Sequence, residues 1–195
     1  MKPYRLLLIS LLFPGLAGAH TFETGKPLPP VFIANEGELV MQHEMLAYQR
    51  WSSQSLIGKV RMVIHVAGRL SAKEQNAPLI DAIQQANFPR SRFQTTTIVN
   101  TDDAIPGSAI FVERSIKSSK RDAPWQHFII DRSGVAQNSW QLTPHGSAVV
   151  ILDAQGIVRF AKDGALTPQQ VEQAVALLKQ MLSGAPALPD AALSS

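Results

Sequence analysis

The run Gly58-Lys59-Val60-Arg61-Met62-Val63-Ile64-His65-Val66-Ala67-Gly68 decides the fold. Its middle, Val60 to Val66, is mostly β-branched and apolar, the composition of a central strand covered on both faces. Ser71-Ala72-Lys73-Glu74 follows with the Ser-x-x-Glu spacing of a capping box, in which hydroxyl and carboxylate reciprocally satisfy free backbone N–H groups. The helix it opens carries Leu79, Ile80, Ile83 and Ala86 on one face and stops at Phe88-Pro89; a second strand runs from Gln94 to Val99. Strand, helix and strand within about 40 residues make a βαβ unit, whose two strands lie parallel.

On the N-terminal side, Thr21 to Pro30 is a Pro- and Gly-rich lead-in, and Val31–Ala34 and Glu38–Met41 read as a hairpin turning at Asn35-Glu36-Gly37. On the C-terminal side, Ile105, Ala109, Val112 and Ile116 recur at helical spacing and predict a helix from Gly107 to Lys120. His127–Ile130 reads as a strand, with a turn at Asp131-Arg132-Ser133-Gly134 and a short strand toward Trp140. Ala148–Leu152 and Ile157–Lys162 form a second hairpin around Asp153-Ala154-Gln155-Gly156. Thr167-Pro168-Gln169-Gln170 then caps a helix that buries Val171, Val175, Leu178 and Leu182. This order, βαβ then α then ββα, is an α/β thioredoxin-like topology: a central mixed β-sheet flanked by helices, with an N-terminal hairpin extension. One domain is expected over residues 20–183, followed by an aperiodic tail, 184–195, expected to be disordered.

The N-terminus carries Lys2 and Arg5, an apolar block from Leu6 to Phe13, a break at Pro14-Gly15, and Ala17-Gly18-Ala19. These are the features of a cleavable secretion signal over residues 1–19, with cleavage after Ala19 and a periplasmic destination. The apolar block falls short of the roughly 20 residues a membrane span needs, so no membrane span is expected in the mature form. No Cys follows the block, which excludes a lipoprotein anchor. Removing residues 1–19 takes two of the 18 basic residues and no acid, leaving 16 Lys plus Arg against 15 Asp plus Glu. Nucleic acid is therefore not an expected partner, since its binders carry a pronounced basic stripe. The chain has no cysteine, which removes both disulfides and thiol chemistry.

Leu56-Ile57-Gly58-Lys59-Val60 resembles the approach to the central strand in the thioredoxin-like and peroxiredoxin-like superfamily, and Ile151-Leu152-Asp153-Ala154-Gln155-Gly156 resembles its C-terminal hairpin. More closely, three stretches resemble the YtfJ family of exported bacterial proteins: His20 to Gly25, Thr95 to Ser108, and Ala161 to Pro168. That resemblance implies an exported thioredoxin-like domain and supplies no activity. Along the superfamily pattern the two active-site cysteines would fall at Leu70 and Lys73, and the cis-proline near Ser147, with Pro144 three residues early. A redox thioredoxin needs a low-pKa thiolate and a resolving Cys. Neither exists here, so thiol–disulfide oxidoreductase and thiol peroxidase chemistry are excluded.

The vacated motif lies at the start of the first long helix, where free N–H groups favour an anion and Arg69 and Lys73 flank the position. The competing reading has Glu74 capping the helix and both cations solvated. Superfamily geometry places Asn100 to Asp103 on the same edge, at the C-terminal end of a parallel strand, where α/β sheets bind ligands. Arg69, Ser71, Lys73, Asn100, Asp102 and Ser147 are therefore expected to cluster as ligand-binding candidates. Asp102 and Asp103 can ligate a divalent cation or cap the following helix. Cleavage after Ala19 would make His20 the N-terminal residue, a copper-chelating candidate that needs a further nitrogen ligand. His65 reads as a core histidine bonded to a neighbour, and Trp51, Trp125 and Trp140 as packing residues. No serine-nucleophile or Walker signature is present; no catalytic residue and no cofactor is implied. The leading expectation is a non-redox module that binds a partner protein, peptide or small envelope ligand; the competing class is a metal-handling protein or non-thiol enzyme using Arg69, Lys73, Asp102 or His20.

Overall fold

The computed structural model describes residues 20–184; the expectations for residues 1–19 and 185–195 lie outside the described residues. The strands are β1 (Phe32–Gln42), β2 (Met45–Ser52), β3 (Val60–Ala67), β4 (Phe93–Asn100), β5 (His127–Asp131), β6 (Ser147–Leu152) and β7 (Val158–Asp163). The α-helices are α1 (Leu70–Gln75), α2 (Ala77–Ala86), α3 (Ala109–Asp122), α4 (Val135–Trp140) and α5 (Pro168–Ser183). One mixed sheet holds all seven strands in the order β2-β1-β5-β4-β3-β6-β7. As the βαβ reading required, β3 and β4 run parallel, from Val60 opposite Phe93 to Ala67 opposite Asn100. β4 and β5 are also parallel, whereas β6 lies antiparallel to β3. Every residue of β3 is buried, which explains its unbroken apolar run.

Four local expectations are corrected. Asn35-Glu36-Gly37 is no turn: β1 runs straight through it, with a bulge between Ile33 and Glu38. A Cβ on Gly37 would stand 2.4 Å from the Gln49 carbonyl oxygen, so glycine marks a close strand approach here. The hairpin turns instead at His43-Glu44, at φ +47° and +67°, the left-handed pair that a two-residue hairpin loop requires. The short strand expected toward Trp140 is α4, because the Asp131 carboxylate takes the Ala136 N–H at 2.8 Å and anchors a helical turn. The capping box at Ser71 and Glu74 does not form; α1 has Arg69 at its N-cap with no side-chain bond. The single long helix is split at Asn76, whose side chain donates to Ser147 Oγ at 3.1 Å and accepts from Leu166 N at 3.2 Å. The box expected at α5 does form, with Gln170 N donating to Thr167 Oγ1 at 3.2 Å and Thr167 N to Gln170 Oε1 at 3.0 Å.

The two sheet faces pack differently. One face is closed by a single cluster that joins Val63, Ile98, Ile129 and Val150 to Trp51, Trp140 and Phe22. Alternation along the strands puts the other side chains opposite, and there the core is divided. α2 and α5 pack with Met62, Ile64, Val149 and Ile151, while α3 packs with Val99, Phe128, Ile130 and Leu39.

Candidate functional site

The C-terminal ends of β3, β4 and β5 meet at one edge, and polar side chains buried there hold the connecting loops. Asn100 ends β4; its Oδ1 accepts from the Asp102 and Asp103 amides at 3.0 and 3.3 Å, and its Nδ2 donates to Gln137 on α4 at 2.7 Å. Gly68 donates to the Asn100 carbonyl at 2.8 Å, and a Cβ on Gly68 would lie 2.9 Å from Ala104. The loops after β3 and β4 are therefore locked together. Ser147 opens β6; its amide donates to Gln75 Oε1 at 3.0 Å, so the split between α1 and α2 is tied to the β6 start from both sides.

Asp103 is the hub of this edge. Its carboxylate, nearly buried, accepts from both the backbone amide and the ring Nδ1 of His145. Arg69 donates from Nε to the Asp103 carbonyl at 2.8 Å and brings NH2 to 3.4 Å from the carboxylate. Burial pushes the Asp103 carboxyl up, but the two bonds from His145 and the charge of Arg69 outweigh it and hold the group below the ordinary carboxylate range. His145 sits at φ +65°, a left-handed backbone unusual for a residue with a side chain. The two hydrogen bonds to the Asp103 carboxylate hold it there. The rest of the ring projects into solvent, with 64% of the side chain exposed. Beneath the edge, His65 is buried, and its Nε2 has no hydrogen-bond partner among the described residues, contrary to the bonded histidine expected. Burial lowers its pKa to about 4, against the opposing pull of Asp131, Asp163 and Asp103, so the imidazole is neutral near pH 7.

Beside this network a groove of about 570 Å³ opens between α2 and α3. Met62, Ile64 and Val66 of β3 and Thr95, Thr97 and Val99 of β4 form its floor; Ile80 and Ile83 line one wall and Val112, Ser115 and Ile116 the other. It occupies the seam between the two clusters of the divided face. Arg69, Lys73 and Ser147 stand among its lining, and no acidic side chain does. Leu70 and Phe111, which also line it, are 71% and 65% exposed, so apolar surface continues onto the rim.

The expected cluster is thus divided. Arg69, Lys73 and Ser147 share the groove, while Asn100 and Asp102 turn toward α4, where a Cβ on Gly134 would lie 3.4 Å from Asn100 Nδ2 and 3.6 Å from Asp102 Oδ2. Ser71 is exposed on α1 and is not among the groove residues. Asp102 and Asp103 do not cap α3, which starts at Ala109 with Ser108 as N-cap. Among the described residues no group of three metal-capable side chains occurs, and His20 lies against Phe22, ring centroids 5.0 Å apart. Asp103 and His145 were not among the six ligand-binding candidates. Their sequence signals were the adjacent carboxylates Asp102-Asp103, read as a cation ligand or helix cap, and the Pro144-His145-Gly146 break just before an apolar strand.

The fold is thioredoxin-like. It is similar to the thioredoxin domain of a thiol-disulfide oxidoreductase from Bacteroides vulgatus, with TM-score 0.52 and 12% identity over 80% of this chain and 97% of that one. It is also similar to a thiol-disulfide isomerase from Corynebacterium glutamicum, with TM-score 0.51 and 15% identity over 82% and 97%. At such identities the likeness shows the fold alone, and this chain has no cysteine. In sequence the chain is 54% identical to the Escherichia coli protein YtfJ over 91% of its own length and 96% of that protein. It is 36% identical to a Haemophilus influenzae protein over the same shares. The family model described as "Bacterial protein of unknown function (YtfJ_HI0045)" matches residues 22–181. This chain belongs to the YtfJ_HI0045 family, and it carries a thioredoxin-like fold without a cysteine.

Proposed function

We propose that this protein is a non-redox binding module, exported to the periplasm, that takes an apolar ligand in the groove between α2 and α3. One observation carries the reading: the groove of about 570 Å³ is floored by the two central strands of the sheet. Central-strand faces are ordinarily covered, and a concave apolar site with a few polar groups at its margin is what small-molecule sites look like. The missing thiols leave the fold with binding surfaces and no redox chemistry. The edge network supports the same reading, since Asn76, Asn100 and Asp103 fix the loops around the groove mouth.

Titration with Nile red, a neutral dye that brightens in apolar surroundings, tests this. Saturable binding to one site per chain is expected, abolished by Thr97→Phe from the floor and by Ser115→Trp from the wall. Thermal unfolding of both variants shows whether they fold. Unchanged dye binding in two folded variants would refute the groove as the site.

A further inference from the structure

Resting on that reading, we infer that the occupant is a single aliphatic chain ending in a carboxylate, its tail on the β3–β4 floor and its head at Lys73 and Arg69. The groove floor selects against strand addition by an extended peptide. β3 and β4 are interior strands, already paired on both sides, so their backbone offers no edge to an extended peptide. The floor from Thr95 to Val99 extends about 13 Å, and that slot suits one extended hydrocarbon chain.

The charge at the mouth sets the head group. The lining holds two cations and no anion. Arg69 is already engaged by the Asp103 carbonyl and carboxylate. Lys73 is exposed and has no ion-pair partner among the described residues, so one positive charge at the mouth stays unmatched. One unmatched cation fits a monoanion better than a dianionic phosphate.

Displacement of Nile red from the purified protein by laurate, dodecyltrimethylammonium and butyrate tests the assignment. Laurate is expected to displace the dye at a concentration at least tenfold below that of dodecyltrimethylammonium, and butyrate to leave it in place. Lys73→Gln is expected to weaken laurate about fivefold without changing the cationic amphiphile, and Lys73→Glu to abolish the preference. Equal displacement by the two amphiphiles, or a preference that survives Lys73→Glu, overturns the carboxylate head while leaving the groove reading intact. Displacement by an acidic amphipathic helical peptide and not by laurate, or occlusion of the groove in a dimer seen by light scattering, overturns the acyl chain. If the dye never binds, the groove reading falls, and this assignment with it.

Discussion

The two faces of the central sheet are built from the same strands and finished differently. On the closed face a single cluster runs from Phe22 through Trp140 to Trp51, and the lead-in segment seals it: Thr21 N donates to the Trp140 carbonyl at 3.0 Å and Trp140 Nε1 to the Pro29 carbonyl at 2.9 Å. On the open face α2 and α3 each hold their own cluster and leave a seam over β3 and β4. The divided face can therefore carry a cavity that a single, tightly interdigitated core would have filled.

Substitutions that separate the faces test this division. Trp140→Ala removes a side chain with no exposure and strands the Pro29 carbonyl. It is expected to cost about 3–5 kcal/mol, with a fall in Tm on the order of 10 °C in a domain of this size. Thr97→Val on the open floor is expected to stay within about 0.5 kcal/mol in the same chemical denaturation series. Equal losses at both positions would erase the distinction.

Acid titration sharpens it next. His65, on the closed side of β3 with Val63, has a folded pKa of about 4 against the ordinary 6.5. Between those values the unfolded chain binds a proton that the folded one refuses. Stability should therefore be full above pH 6.5 and decline as pH falls toward 4, by roughly 3 kcal/mol. Asp103 and Glu38, whose carboxyls sit below their ordinary range, add losses in the same direction as pH falls through the carboxylate range. Glu38 is pushed up by burial, a push that His127 at 2.9 Å, Gln49 and the charge of Lys120 together outweigh. Urea midpoints across pH 4–7 measure the slope, and His65→Leu should flatten the part above pH 5. A wild-type slope unchanged by that substitution would remove His65 as its source.

At the rim where the faces meet, His145→Ala should destabilise by about 1–2 kcal/mol, since it leaves a nearly buried carboxylate short of a partner. His145→Gly should be milder despite losing the same ring, because glycine accepts φ +65° freely. If the alanine variant is the more stable, the backbone strain is not real. The smallest effect belongs to Lys73→Gln, within about 0.5 kcal/mol by thermal unfolding. Arg69→Gln should exceed it, given the bonds from Arg69 to Asp103.

The parts of the fold legible in the sequence were those in which pattern and geometry have one solution. The β-branched run at Val60–Val66 could only be a central strand, and Thr167-Pro168-Gln169-Gln170 carries its own cap. What escaped depends on partners far along the chain. Asn35-Glu36-Gly37 has turn composition, yet the approach of Gln49 makes it a bulge. Asn76 splits a helix because Ser147 and Leu166 claim its amide. The candidate site was half legible for the same reason: the edge follows from topology and gave Arg69 and Lys73, whereas the Asp103–His145 pair spans 42 residues and the seam between helices leaves no periodic trace.

The pairing of β1 with β5 also orders events in time. Gly37 lies opposite Ile130 and Leu39 opposite Phe128, partners separated by roughly ninety residues. The chain must close that loop before the N-terminal hairpin joins the sheet, and long-range strand pairing is slow. A growing chain released from its N-terminus thus carries the β1–β2 hairpin without its sheet neighbour until β5 has emerged. The first hairpin to be made therefore gains its place in the sheet only after β3, β4 and β5 have been synthesised.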